Sequence, residues 1–129
     1  MLRFSALALL LTALVLSACG GGGQTASPSS GGGGDVAKGK VAFETKGCVA
    51  CHTLTGATGA VGTTGPNLNG IGTRAATRKP NTTAEAYIRE SEQNPNAFIV
   101  DGFPRDTMVP WAGTPAELND LVAYLLAQK

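Results

Sequence analysis

The pattern of hydrophobic and polar residues divides the chain into an apolar start, a glycine-rich polar stretch and a mixed remainder. In the remainder, apolar residues recur at helical spacing in a few short segments. No segment shows the alternation of apolar and polar residues that is typical of a half-buried strand. The pattern therefore predicts a few short helices joined by long loops.

The first predicted helix follows Asp35, whose side chain can cap its N-terminus. It is expected to end near Lys46, just before a pair of cysteines. The segment from Thr53 to Arg74 is rich in Gly and Thr and lacks periodicity, so a loop is predicted there. The packing positions predicted for the first helix include Val36, Gly39, Val41 and Phe43.

Two further helices have N-terminal signals. Thr82-Thr83-Ala84-Glu85 resembles a capping box, and its helix should end near Asn94 because Pro95 disfavours helix in the preceding residue. The stretch 96–113 is predicted to be a second long loop. The sequence Thr114-Pro115-Ala116-Glu117 combines an N-cap, a first-turn Pro and Glu at the third helical position. The apolar face of this last helix comprises Leu118, Leu121, Val122 and Leu125.

The stretch Cys48-Val49-Ala50-Cys51-His52 reads C-x-x-C-H, the attachment signature of a c-type haem. The two thiols can form thioethers with the two vinyl groups of a haem. The adjacent imidazole can then bind the iron as the proximal ligand. The motif predicts one covalently bound haem c, attached through Cys48 and Cys51 and ligated by His52.

Two other chemistries use paired cysteines, and the sequence disfavours both. A thioredoxin-like site should lie in a βαβ pattern, which is not found here. A structural zinc site needs four protein ligands. Cys19 is the only other cysteine and His52 is the only histidine, so a fourth ligand is lacking.

Met108 is the predicted second ligand of the iron. If Met1 is removed with a leader peptide, Met108 is the only methionine left, and it lies in the second loop before Val109-Pro110-Trp111. A thioether opposite His raises the reduction potential of a haem. The alternative is that Met108 fills the core, and a haem with an open distal site would suit a haem enzyme or a gas sensor.

The N-terminus carries a predicted export and lipidation signal. Arg3 is followed by an apolar run, 4–16, shorter than the ~20 residues of a membrane span. The sequence that follows resembles a bacterial lipobox, which implies cleavage before Cys19 and attachment of lipid to it. The alternatives are an uncleaved anchor or a buried cysteine.

These signals divide the chain into a signal peptide (1–18), a lipidated cysteine with a flexible linker (19–34) and a haem domain (35–129). The expected location is the extracytoplasmic (periplasmic) side of a bacterial cell membrane, with the lipid as anchor. The chain has ten basic and nine acidic residues, and loss of Arg3 makes it formally neutral. No strong basic field for nucleic acid is present, and no small-molecule substrate is expected.

From Val36 to Gln128 the chain resembles a class I monohaem cytochrome c. This resemblance implies a small all-α fold of three to five short helices around one covalent haem. It also implies that the Pro66 carbonyl accepts a hydrogen bond from His52 and that the last helix crosses the first at Gly39. The segments that carry it are Gly39–Phe43, Cys48–His52, Gly65–Leu68, Met108–Pro110 and Leu121–Tyr124.

A narrower resemblance links 66–74, Ile88-Arg89 and 117–125 to the cytochrome c domains of oxidase subunit II. It implies an electron carrier, or a non-catalytic subunit of a respiratory or photosynthetic complex, whose partners are redox proteins. Arg74 is then a candidate partner for a haem propionate; the alternative is an ordinary solvated arginine. The aromatic residues Tyr87 and Trp111 are expected to line the haem pocket.

Overall fold

The computed structural model describes residues 33–129, which form five helices. Within this range the strand-like pairing is limited to one isolated bridge, between Thr53 and Val61. The prediction of a small all-α fold is therefore confirmed. The helices are α1 (Val36–Thr45), α2 (Cys48–Cys51), α3 (Ile71–Arg78), α4 (Ala84–Gln93) and α5 (Pro115–Leu126).

The predicted signal peptide, Cys19 and most of the linker lie outside the described residues. Of the five helices from residue 33 onwards, none combines the length and the apolar character that a membrane crossing requires.

Helices α1 and α5 cross closely because Gly39 has no side chain. A Cβ at Gly39 would overlap the backbone carbonyl of Asp120 and lie 2.6 Å from Cβ of Tyr124. Beside the crossing, the rings of Phe43 and Tyr124 pack with their centroids 5.8 Å apart. The start of α1 is also tied to α5, since the amide of Asp35 donates to Oδ1 of Asp120 at 2.7 Å.

The core lies along the inner face of α5, as its apolar pattern predicts. Each fully buried apolar side chain there contributes about 1.5–3 kcal/mol relative to an exposed position. The prediction that Val41 packs inward is wrong: it lies on the outer face of α1 and is 57 % exposed. The buried residues of α5 include Leu118, Leu121, Val122 and Leu125.

Helix α3 corrects the prediction of a loop as far as Arg74. Its first residues, Ile71 and Gly72, are buried, and the amide of Gly72 donates to the carbonyl of Gln128 at 2.8 Å. The segment has weak intrinsic helix propensity because it contains Gly and two Thr. Packing against α4 and the end of α5 stabilises it instead, which local sequence does not reveal.

The N-terminal caps agree with prediction for α1 and α5 and differ by one residue for α4. Thr114 and Glu117 form the predicted capping box of α5. In α4 the cap is Thr83, whose hydroxyl accepts from the amide of Ala86 at 3.1 Å. Glu85 does not close a box there; it pairs with Arg89 at 3.0 Å.

Candidate functional site

A cavity of about 500 Å³ lies between the helices and the two long loops, and most of its wall is apolar. It is bounded by residues from all five helices and from both loops. The side chains that the sequence identified as candidate haem ligands or neighbours line it together, with the exception of Arg74. Those in the wall are Cys48, Cys51, His52, Pro66 and Met108.

The two cysteines lie on α2, a single helical turn that the sequence pattern did not predict. Gly47, with φ of 92°, provides the left-handed turn that separates α2 from α1. A spacing of three residues places Cys48 and Cys51 on the same face of this turn. Both are half-buried free thiols.

The thiol of Cys48 is held in its neutral form. Burial, followed by the nearby carboxyl group of Glu92, raises the pKa of Cys48 to about 12. Thiol–disulfide enzymes instead use a cysteine whose pKa is lowered. Cys48 therefore lacks the lowered pKa of such an attacking thiol. Residues 33–129 also contain no group of three or more His, Cys, Asp or Glu side chains arranged to hold a metal ion.

His52 caps the end of α2, and its ring is buried. Nδ1 lies 2.8 Å from the carbonyl oxygen of Pro66. A carbonyl can only accept, so Nδ1 carries the proton and donates it. The Nε2 lone pair is then free for a metal, and the hydrogen bond fixes both the tautomer and the ring orientation. This is the contact that the resemblance implies for Pro66.

The backbone of Gly65 lies close against the imidazole ring of His52. Its amide donates to the carbonyl of Cys51 at 2.8 Å, which brings the loop backbone against the ring. A Cβ at Gly65 would lie 2.5 Å from Cε1 and 2.9 Å from Nδ1 of His52. The position therefore requires glycine if the ring is to keep its orientation, a constraint that the sequence alone did not expose.

Met108 is half-buried in the long loop between α4 and α5 and lines the cavity. Side-chain and backbone contacts hold the loop on both sides of Met108. The amide of Asp106 donates to Oδ1 of Asn96 at 2.9 Å, and the amide of Trp111 donates to the Glu92 carbonyl at 2.7 Å. The loop thus presents its methionine to the cavity from a fixed frame.

Two arginines on α3 differ in their position relative to the cavity. Arg74 does not line the cavity; its guanidinium donates to the backbone carbonyls of Asn67, at 2.7 Å, and Asn69. Arg78, one turn later, does line the cavity, and no ion pair or hydrogen bond of its guanidinium group is found within residues 33–129. The sequence did not identify Arg78 as a cavity residue, because α3, the helix that directs it to the cavity, was not predicted.

The two predicted pocket aromatics also line the cavity. Tyr87 packs edge-on against Phe98, with ring centroids 5.8 Å apart. The indole of Trp111 donates to the Thr114 carbonyl at 3.3 Å, and the ammonium group of Lys46 lies 5.5 Å from its ring centroid. These contacts join the wall of the cavity to the capped start of α5.

The residues present fit a c-type haem. A large apolar cavity suits the porphyrin disc, and two thiols on one helical turn suit its two vinyl groups. His52 offers a nitrogen and Met108 a thioether sulfur from different segments of the same wall.

The comparisons with known proteins agree with this fit. A family model described as Cytochrome c matches residues 36–129. The chain belongs to the cytochrome c family, and its domain binds haem covalently through the Cys-X-X-Cys motif that Cys48 and Cys51 supply.

Among solved structures, a chain of the SoxXA crystal structure from P. pantotrophus is 26 % identical, with a TM-score of 0.51. The match covers 80 % of this chain and 88 % of that chain. Ferric cytochrome c-550 from Paracoccus versutus is 28 % identical, with coverage of 74 % and 98 % and a TM-score of 0.47. Cytochrome c2 from Rhodobacter sphaeroides is 22 % identical, with coverage of 71 % and 94 % and a TM-score of 0.43. No curated protein matches the chain.

Proposed function

We propose that the protein is a membrane-tethered monohaem c-type cytochrome that transfers single electrons. It acts as a mobile carrier, or as a non-catalytic subunit of a respiratory or photosynthetic electron-transfer complex. The observation that carries the proposal is that His52 and Met108 line the same cavity as the paired cysteines. When bound, the haem supplies one-electron chemistry at an iron with two protein ligands.

The residues have separate tasks in this proposal. Cys48 and Cys51 hold the porphyrin through thioethers. His52 ligates the iron through Nε2, and the Pro66 carbonyl keeps its ring oriented through the bond to Nδ1. Met108 would supply the second ligand of the iron, and its thioether, as a soft ligand, would favour the ferrous state.

Arg78 is the cavity residue best suited to pair with a propionate of the haem. Its guanidinium has the planar fork that binds carboxylates, and nothing between residues 33 and 129 competes for it. Arg74 is suited to a different task, since it already donates to two backbone carbonyls.

The runner-up function is a haem enzyme or gas sensor with an open distal site, and carbon monoxide distinguishes the two. If Met108 ligates the iron, the reduced protein binds carbon monoxide slowly, because the thioether must first dissociate. Met108→Ala should bind it at least about tenfold faster, which corresponds to a barrier lowered by ~1.4 kcal/mol. Equally rapid binding by both proteins would support the open-site function.

The N-terminal sequence supports the proposed lipid tether to the membrane. A lipobox-like segment before Cys19 and a flexible linker suit a lipoprotein whose haem domain moves above the membrane. The likeness of 66–74 and 117–125 to the cytochrome c domains of oxidase subunit II supports a partner in a respiratory membrane.

A Cys19→Ser variant tests the tether separately from the haem chemistry. In cells grown with a labelled fatty acid it should take up no label, whereas the native protein should take up label at Cys19. Absence of label from the native protein would exclude lipidation at Cys19 as the anchor.

A further inference from the structure

Glu92 is a buried acid that the proposed function does not use. It lies near the end of α4, is 9 % exposed and lines the cavity. The other two acids of α4 have ion-pair partners: Glu85 pairs with Arg89 and Glu90 with Lys79. No hydrogen bond or ion pair to the Glu92 carboxyl group is found within the part of the chain that the structure describes.

The Glu92 carboxyl group shares the cavity wall with Cys48, one of the two haem attachment sites. Its negative charge, after burial, contributes to the raised pKa of that thiol. A carboxyl group in an apolar wall is sensitive to charge because little water screens it. Any change of charge on the group that fills the cavity therefore changes the proton affinity of Glu92.

We infer that Glu92 is a proton-binding site coupled to the redox state of the haem. The inference rests on the proposed function, which supplies the electron. When the iron passes from ferric to ferrous, one positive charge is lost from the cavity. The Glu92 carboxylate then takes up one proton from solvent and becomes a neutral carboxylic acid. On oxidation, the electron leaves to the acceptor and the proton returns to solvent.

The inferred proton uptake falls in the neutral range. Burial raises the pKa of Glu92 to about 7. A ferric site is more positive than a ferrous one and favours the carboxylate, so the pKa of Glu92 is lower in the oxidised protein than in the reduced protein. Between the two pKa values, reduction becomes tenfold less favourable for each unit of pH increase, or about 59 mV for a one-electron couple.

The other charged groups around the cavity do not duplicate this behaviour. Lys46, at the end of α1, pairs with Glu117 of α5 at 2.7 Å. Cys48 loses its titratable proton when it forms a thioether. The titratable and charged residues that share the wall with Glu92 are Lys46, Cys48, Cys51, His52, Arg78 and Tyr87. Of these, His52 donates to Pro66 through Nδ1 and is assigned to the iron through Nε2.

The test is the midpoint potential of the holoprotein measured between about pH 5 and pH 9. For the native protein we expect the potential to fall with rising pH through the neutral range. In Glu92→Gln the fall should disappear, while the backbone carbonyl that accepts from Trp111 is kept. Glu90→Gln is the matched control, because it changes an ion-paired acid of the same helix, and it should keep the native slope.

A flat native profile, or an equal slope in Glu92→Gln, would overturn the inference; the second result would place the proton on a propionate. Should Glu92→Gln not fold, Glu92→Leu, which suits the apolar wall, takes its place, and a native slope in that variant likewise refutes the inference. Reversible one-electron titration with slow carbon monoxide binding would show that the proposed function stands even if this inference fails.

Discussion

Arg74 and Arg78 lie one turn apart on α3, and their surroundings give them different tasks. Arg74 joins the start of α3 to the preceding loop through the carbonyls of Asn67 and Asn69. Hydrogen bonds from a charged donor each contribute about 1.5–3 kcal/mol to stability. Arg78 lies in the cavity wall, where we propose that it pairs with a propionate of the haem.

Substitution of each arginine by glutamine should separate these tasks. Arg78→Gln leaves a propionate without its cation, which favours the ferric state and lowers the potential. A change of about 1 kcal/mol corresponds to roughly 40 mV. Arg74→Gln should instead lower the free energy of unfolding by about 2 kcal/mol with little change in potential. Voltammetry and thermal unfolding measure the two effects, and a larger potential shift in the Arg74 variant would contradict the assignment.

At the scale of elements, the crossing of α1 and α5 frames the haem domain. Gly39 allows the two backbones to meet, and the ring pair of Phe43 and Tyr124 extends the contact. Helix α1, which precedes the haem motif, is therefore fixed against α5, which forms most of the core.

Gly39→Ala should destabilise this crossing strongly. The new Cβ meets the Asp120 carbonyl, a backbone group that cannot move aside without shifting α5. Overpacking of this kind costs about 1–3 kcal/mol or more, which outweighs the ~1 kcal/mol gain in helix propensity. Lys38→Ala introduces the same side chain at an exposed position of α1 and should stay within about 0.5 kcal/mol of the native protein. Equal unfolding midpoints for both variants would show that the helices do not meet at Gly39.

The start of α5 links helix stability to pH through Glu117. The ion pair with Lys46 and the hydrogen bonds from Thr114 lower the pKa of Glu117 from 4.5 to about 2. Because the folded-state pKa is lowered, the ionised group stabilises the fold above about pH 4.5. This contribution is lost as the pH falls towards 2.

Glu117→Gln should therefore lower the thermal midpoint at about pH 7 and leave it nearly unchanged at about pH 2. The matched control is Glu85→Gln, which breaks a pair with Arg89 on α4 but removes no capping hydrogen bond, and it should have little effect at either pH. A difference between native and Glu117→Gln protein that is the same at both pH values would exclude ionisation as its source.

Across the whole molecule, the features that depend on neighbouring residues were predicted from the sequence, and those that depend on contacts between distant segments were missed. The capping box at Thr114 and the cap at Asp35 are local and lie where expected. Helix α3 is stabilised by contacts with the end of α5, which is far away in the sequence. Its own sequence pattern therefore predicted a loop.

The haem site shows the same difference between local and non-local features. The spacing within Cys48–His52 reveals its chemistry because attachment depends on neighbouring residues. The burial of Glu92 and the place of Arg78 in the cavity wall depend on how helices pack, which the sequence does not show. The sequence has one histidine and, apart from Met1, one methionine, and this scarcity limited the candidates for the two iron ligands.

We propose that Met108 and His52 are the two protein ligands of the haem iron. The absorption spectrum of the oxidised native protein, in the region of the methionine–iron charge-transfer band, tests this ligation. We predict that the band is present and that Met108→Ala abolishes it while the covalent haem remains. A native protein that carries covalent haem but lacks this band would show that Met108 does not ligate the iron.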